Sequence, residues 1–318
     1  MSVAVSVVVS TYDRPEMMER LLDSLLAQDH PDHEIIVVDN GSDARTGEML
    51  DRVAEHDHRS VLRRLRVDVN RGPAPARNLG WRAADAPLIA FIDDDCIAEP
   101  TWLSGLCAEA APKVIVQGRT TPDGDLRASG AWAKSQNINR VTMRFETCNL
   151  LMPRDVLEAT DGFDERFRVA AGEDTDLGWR AMDLGVQVVF APEARVRHVI
   201  WDRTFRDHLR ERIRWSETAL VVKKHPGIRT QLPLRFLYRW AHGIVMVGVP
   251  VAAILLLTPL WWLVPVGLAA WVAAYVGLRG RRFGILGAAR RSVETLISAV
   301  WEVALFARSS LRFRTLLL

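Results

Sequence analysis

From Ala241 to Leu278 the chain runs for 38 residues without an Asp, Glu, Lys or Arg, and His242 and Tyr275 are its only ionisable side chains. As one helix this stretch would be about 57 Å long, nearly twice the ~30 Å of a bilayer's hydrocarbon. Two spans, about 241–258 and 261–278, fit better, with Thr258-Pro259-Leu260 as the break and Trp261 and Trp262 suited to a membrane–water interface. Arg235 and Arg239 flank one end and Arg279, Arg281 and Arg282 the other. By the positive-inside rule both flanks face the cytoplasm and the turn faces outward, which predicts a multi-pass inner-membrane protein with both termini cytoplasmic. A buried hairpin of a soluble domain would normally keep one polar face.

The charge balance changes at the same place. Residues 1–200 hold 23 basic and 33 acidic side chains and residues 201–318 hold 18 and 6, so the parts carry −10 and +12 and the formal total of +2 is a cancellation. This divides the chain into an acidic domain at 1–200, a basic amphipathic segment at 201–239, the hairpin at 240–279 and a basic amphipathic tail at 280–318. Arg290, Arg291, Glu294 and Glu302 argue against a third span between Gly284 and Phe306 and for an interfacial helix. The segment Arg203–Lys224 interleaves arginines with Phe205, Leu209, Ile213 and Trp215, and next to a membrane hairpin it is expected to meet anionic head groups or to hold a diphosphate there, not nucleic acid. Three cysteines without metal or redox spacing fit a reducing compartment, and the apolar N-terminus lacks the basic region of a signal peptide.

Before residue 200 strands and helices alternate. Apolar runs at Val3–Val9, Glu34–Asp39, Leu65–Asp68 and Pro87–Asp93 read as strands, separated by helical spacing at Pro15–Gln28, Thr46–His56 and Ala74–Ala84. Apolar strands alternating with helices predict an α/β fold with a mostly parallel sheet covered on both faces, and ligands of such sheets bind at the carboxyl ends of strands. The polar clusters Ser10-Thr11-Tyr12-Asp13, Asp39-Asn40-Gly41-Ser42 and Asp93-Asp94-Asp95 fall there.

Alternation along a strand would point Asp93 and Asp95 into one site and Asp94 elsewhere, and crowded carboxylates favour a divalent cation. Gly172-Glu173-Asp174-Thr175-Asp176 is a second acidic cluster. It suits both a helix N-terminus and a carboxylate base. His198, at the end of a short strand, becomes a metal candidate because two acidic clusters demand a cation. Asn70-Arg71-Gly72-Pro73 leads into a helix carrying Arg77, a geometry that can present a guanidinium to a phosphate. Ala111–Arg144, with Trp132 and Asn137, is expected to help shape a binding pocket.

In this order and spacing, the clusters together with Pro100-Thr-Trp-Leu103 resemble the family-2 glycosyltransferases of the GT-A fold over residues 3–200. The resemblance implies that Thr11, Tyr12, Asp39 and Arg77 hold the nucleotide, with Asp39 near the base, and that Asp93, with Asp94 beside it, touches the ribose or sugar. It implies Asp95, with His198, as the ligand of Mg²⁺ or Mn²⁺ bridging the diphosphate, and Asp174 as the catalytic base supported by Glu173. Glu211-Arg-Ile-Arg214-Trp215 is similar to the QxxRW motif of membrane-bound relatives, with Glu in place of Gln, which adds Arg214 and Trp215 to the donor side. The implied activity is inverting, metal-dependent transfer from a UDP- or GDP-sugar to a glycan or lipid-linked acceptor. A Rossmann dehydrogenase would need a GxGxxG after the first strand, which is missing. A membrane-tethered sugar-nucleotide binder without turnover would not need a positioned base.

Overall fold

A computed structural model describes residues 4–57, 61–126 and 129–318. Val3, the expected start of the first strand, lies outside the described residues. The chain folds as two compact units, Met1–Ser129 with Lys134–Trp201, and Gly130–Ala133 with Asp202–Leu318.

The first unit is built on an eight-stranded mixed sheet. Its strands are β1 (Val5–Thr11), β2 (His33–Asn40), β3 (Leu62–Val67), β4 (Leu88–Phe91), β5 (Cys96–Ala98), β6 (Val114–Pro122), β7 (Leu150–Pro153) and β8 (Gln187–His198). They lie in the order β3-β2-β1-β4-β7-β6-β8-β5. The β1–β2, β1–β4, β2–β3 and β6–β8 pairs are parallel, while β4–β7, β6–β7 and β5–β8 are antiparallel. Val5, Val7 and Val9 pack on one face against Met18, Leu21, Leu22 and Leu25 of α1 (Pro15–Leu26). Val8, Ile36 and Val38 pack on the other against Ala74 and Ala76 of α3 (Pro73–Ala83). Both faces are therefore covered, as continuous apolar strands require. Gly80 sets how close α3 can come, because a Cβ there would lie 2.4 Å from Val8 Cγ1.

Element ends differ from the sequence expectation where polar residues interrupt the pattern. β4 stops at Phe91, so Asp94 and Asp95 lie in a turn and strand alternation does not govern their directions. The third strand begins at Leu62, three residues earlier than its apolar run suggests, because Arg63, Arg64 and Arg66 break the alternation of an edge strand. The strand ending at His198 is 12 residues long, not short. The remaining helices of this unit are α2 (Ala44–Glu55), α4 (Trp102–Ala108), α5 (Arg154–Thr160) and α6 (Glu173–Asp183).

The second unit contains α7 (Phe205–Arg212), α8 (Thr218–Lys224), α9 (Trp240–Leu256) and α10 (Leu263–Phe313). Among the described residues only α10 is long and apolar enough to cross a membrane; α9 is apolar but has 17 residues. At Gly284 the backbone of α10 leaves the helical region (φ 70, ψ 166). Trp271 Nε1 donates to Ser292 O at 3.3 Å, and Thr295 Oγ1 lies 3.4 Å from Tyr275 Oη. Twenty residues of straight helix would span about 30 Å. The two arms of α10 therefore fold back on each other at Gly284.

The second arm buries Ala288, Ser292, Ser298, Ala299, Glu302, Phe306 and Ser309, and it exposes Ile285, Leu286, Val293, Ile297 and Leu311 together with Arg308 and Arg312. Glu302 receives Arg212 Nε at 3.1 Å, His242 Nε2 at 2.8 Å and Arg239. A buried carboxylate with this many donors is compensated.

Candidate active site

The carboxyl ends of β1, β4 and β8 and the N-terminus of α6 bring five carboxyl groups and two arginines together in the first unit. Gly172 caps α6 in the left-handed region (φ 109), which swings Glu173 and Asp174 into the first helical turn. Arg77, on α3 and nearly buried, reaches three acids: Nη2 lies 2.8 Å from Asp93 Oδ1, and Nη1 lies 3.0 Å from Glu173 Oε1 and 3.5 Å from Asp174 Oδ1. Burial works against the Arg77 charge, but Asp174, Asp93 and Glu173 outweigh it and hold the guanidinium above its ordinary value. Asp174 Oδ2 accepts from the Thr147 backbone N–H at 3.2 Å and from Thr147 Oγ1 at 3.1 Å. Burial first, then the neighbouring Glu173 charge, pushes the Asp174 carboxyl well above the usual carboxylate range against the pull of Arg77. A carboxylate with raised proton affinity has the property a general base requires. Glu173 Oε2 is buried without a hydrogen-bond partner among the described residues, so the local negative charge is incompletely compensated.

The other aspartates face a different set of groups. Asp94 accepts from Thr11 Oγ1 at 2.9 Å and from Arg14 Nη1 at 2.7 Å. Its carboxyl is pushed up to about 6, chiefly by burial, with Arg14 opposing and Asp95 adding to the rise. Asp95 Oδ2 accepts from Trp201 Nε1 at 2.9 Å. Asp95 Oδ1 has no hydrogen-bond donor among the described residues and lies 3.4 Å from His198 Nε2. His198 Nδ1 lies 2.9 Å from the Val199 carbonyl, a contact that favours the tautomer with the proton on Nδ1 and the Nε2 lone pair open to a cation. Two buried lone pairs this close fit a shared cation; the carboxylate suits Mn²⁺ or Mg²⁺, and the imidazole is the softer ligand of the pair. Cys96 Sγ completes an Asp95–Cys96–His198 group within 4.8 Å. Burial raises the Cys96 thiol well above its ordinary value, so it stays protonated and is the poorest ligand of the three.

Of the residues named from sequence, Thr11, Arg77, Asp93, Asp94, Asp95, Glu173, Asp174 and His198 fall in these two linked groups. Tyr12 stands half-exposed beyond β1. Asp39 is fully buried at the end of β2, where Oδ2 takes Arg66 Nη1 at 2.5 Å and Arg64 Nη2 at 3.2 Å, and Oδ1 takes the Ser42 N–H at 2.9 Å. Arg214 and Trp215 belong to the second unit. There Arg214 pairs with Glu211 at 3.0 Å, and the Trp215 ring lies 3.8 Å from the Arg212 guanidinium. Trp132 is also in the second unit and donates to Glu294 at 2.7 Å, while Asn137 is exposed.

Sequence reasoning missed Arg14, Thr147, Trp201, Arg64 and Arg66. Arg14 follows Thr11-Tyr12-Asp13 directly and could have been included with that cluster. Thr147 and Trp201 carried no local signal, because they reach Asp174 and Asp95 from 27 and 106 residues away.

Comparisons with known proteins bear on the family and the fold. The sequence model of Glycosyl transferase family 2 matches residues 6–157, and that of Glycosyl transferase family group 2 matches residues 88–279. The validoxylamine A glucosyltransferase of Streptomyces hygroscopicus subsp. jinggangensis is 28% identical over 272 residues, covering 71% of this chain and 62% of its own length. The chain thus spans less than two thirds of that relative. Glycosyltransferase AglE of Haloferax volcanii is 28% identical over 230 residues, covering 69% of this chain and 73% of its own. The fold is shared with the mannosyltransferase PcManGT of Pyrobaculum calidifontis, solved in complex with GDP-Man and Mn²⁺, at a TM-score of 0.60 and 21% identity over 96% of this chain and 86% of that one.

Proposed function

The chain belongs to glycosyltransferase family 2, and from that premise we propose that it moves a sugar from a nucleoside-diphosphate sugar to an acceptor hydroxyl with inversion at the anomeric carbon. The observation that carries this reading is the tie of Asp174, a carboxylate of raised proton affinity, through Arg77 to Asp93. Asp174 takes the proton of the acceptor hydroxyl while the acceptor oxygen bonds to the anomeric carbon. The bond from that carbon to the diphosphate oxygen breaks on the opposite face, and the nucleoside diphosphate leaves with the electron pair. Thr147 fixes one oxygen of Asp174, and Arg77 holds Asp93 where it can meet the donor's ribose or sugar. Asp95 and His198 would hold Mn²⁺ or Mg²⁺, which when bound supplies positive charge to the diphosphate leaving group. Asp39 acts on the nucleotide side by holding Arg64 and Arg66, and half-exposed Tyr12 offers its ring there. Alignment and electrostatic stabilisation do most of the work in such a transfer. The donor is a UDP- or GDP-sugar. Incubating the full chain with each nucleotide sugar is expected to release nucleoside diphosphate only when Mn²⁺ or Mg²⁺ is present. A chain that binds these donors but releases none with any metal is instead a sugar-nucleotide binder.

The acceptor side of the proposal is a lipid-linked glycan or phosphate at the cytoplasmic membrane face. Its support is the apolar surface of α9 and α10, where Ile244, Val247, Ile254, Leu257 and Leu286 are all more than half exposed. Exposed apolar side chains in this number mark a contact with lipid or with another protein. In this reading α9 and the first arm of α10 enter the bilayer around the Trp261–Trp262 turn, and the arginine flanks at 235–239 and 279–282 stay on the cytoplasmic side. The full chain is then expected to sediment with membranes, to resist alkaline carbonate and to be released by detergent. Release by carbonate alone would remove the spanning arrangement and leave peripheral attachment.

A further inference from the structure

Arg14 is the cap residue of α1, and its side chain is 41% exposed, against 8% for Arg77. Nη1 lies 2.7 Å from Asp94 Oδ1 and 3.7 Å from Asp95 Oδ2, and the guanidinium sits 5.0 Å over the Trp201 ring. Trp201 donates to the same Asp95 Oδ2. That oxygen is therefore engaged from two sides, which leaves Oδ1 turned toward His198. Arg14 thus orients Asp95, and it also places a positive charge beside the carboxylates that a divalent cation needs. Like charges sharing one set of carboxylates oppose each other. A half-exposed arginine on a flexible stem can exchange one partner for another, and the oxygens of a diphosphate are a better match for its fork than two divergent carboxylates.

We propose that Arg14 is a resident competitor of the divalent cation: without nucleotide it occupies the Asp94–Asp95 turn and holds cation affinity down, and a bound diphosphate draws it away and frees those carboxylates. The inference rests on the reading of Asp95 and His198 as cation ligands. Arg14 is here a positioning residue, and the coupling it creates is reciprocal, so a bound cation also raises affinity for the diphosphate.

The test is Mn²⁺ binding to the full chain, read from the electron paramagnetic resonance signal of free Mn²⁺, with and without GDP or UDP. The unaltered chain is expected to bind Mn²⁺ about tenfold more tightly when its nucleotide is present, within the usual range of such couplings. Arg14→Gln is expected to bind Mn²⁺ more tightly than the unaltered chain when nucleotide is absent, so that the nucleotide effect shrinks several-fold. Arg14→Gln binding Mn²⁺ equally or more weakly without nucleotide would overturn the proposal and reduce Arg14 to a support for the turn. A second measurement needs no substitution. Labelling of Arg14 by phenylglyoxal, read by peptide mass spectrometry, is expected to speed up with Mn²⁺ alone, and an unchanged rate counts against competition. No Mn²⁺ binding under any condition would remove the cation site along with the competitor.

Discussion

Asp174→Asn is expected to lower transfer by about 10²–10⁴-fold, the usual range for loss of a positioned general base, while binding of the nucleotide sugar is retained. Asparagine keeps the shape and can still accept from Thr147, so the alignment built by α6 survives; what it cannot do is take a proton. The acid side of the pH profile follows from the same carboxyl. The base works when ionised, and burial and Glu173 raise its proton affinity. Activity therefore falls as pH drops through a value above the ordinary carboxylate range. The stability consequence has the opposite sign to that of a salt-bridged aspartate. A carboxyl whose folded value is raised above its unfolded one is penalised once ionised, so its ionisation costs stability as pH rises through the folded value. Asp174→Asn removes that penalty but also one of the three acids that hold buried Arg77 charged, so its melting temperature at neutral pH is expected to stay close to that of the unaltered chain. Undiminished turnover would take the base role from Asp174, with Glu173 next to be tried.

Asp95→Asn is expected to abolish Mn²⁺ binding and the metal-stimulated part of donor hydrolysis. A metal on a developing phosphate charge contributes several kcal/mol, so the loss in turnover is on the order of 10³-fold or more. His198→Ala removes one neutral ligand and leaves the carboxylate, so it should weaken Mn²⁺ binding less than Asp95→Asn. Raising the Mn²⁺ concentration is expected to restore part of the His198→Ala activity and none of the Asp95→Asn activity. Full rescue of Asp95→Asn would place the cation elsewhere. The two variants report on different chemistry, proton removal by Asp174 and cation binding by Asp95.

The alternation of apolar strands and amphipathic helices in residues 1–200 was legible because burial on both faces demands continuous apolar side chains, as in Val5–Val9 and Ile35–Val38. The candidate site was legible as residue types at strand ends. Its internal wiring was not. Asp93, Asp94 and Asp95 look alike in the sequence, yet Asp93 turns to Arg77, Asp94 to Thr11 and Arg14, and Asp95 to Trp201 and His198, because β4 has ended and a turn sets their directions. Asp39 similarly looks like a surface ligand until Arg64 and Arg66 of the neighbouring strand are seen to cover it.

The uncharged run from Ala241 to Leu278 by itself determined that part of this chain must bury or immerse a long apolar surface, since 38 such residues left facing water would form a large exposed apolar patch. Which charges could accompany it was decided only by tertiary structure. Glu302 sits in an otherwise apolar region because Arg212 and Arg239 meet its carboxylate there from 90 and 63 residues away. The second arm of α10 likewise buries Ser292, Ser298 and Ser309 alongside Phe306 while Ile285, Leu286 and Leu311 stay exposed, a distribution that hydropathy along the chain does not predict. Hydropathy is a property of the residues along the chain, and a sequence carries it in full. Compensation of charge depends on distance in space, which exists only once the chain has folded.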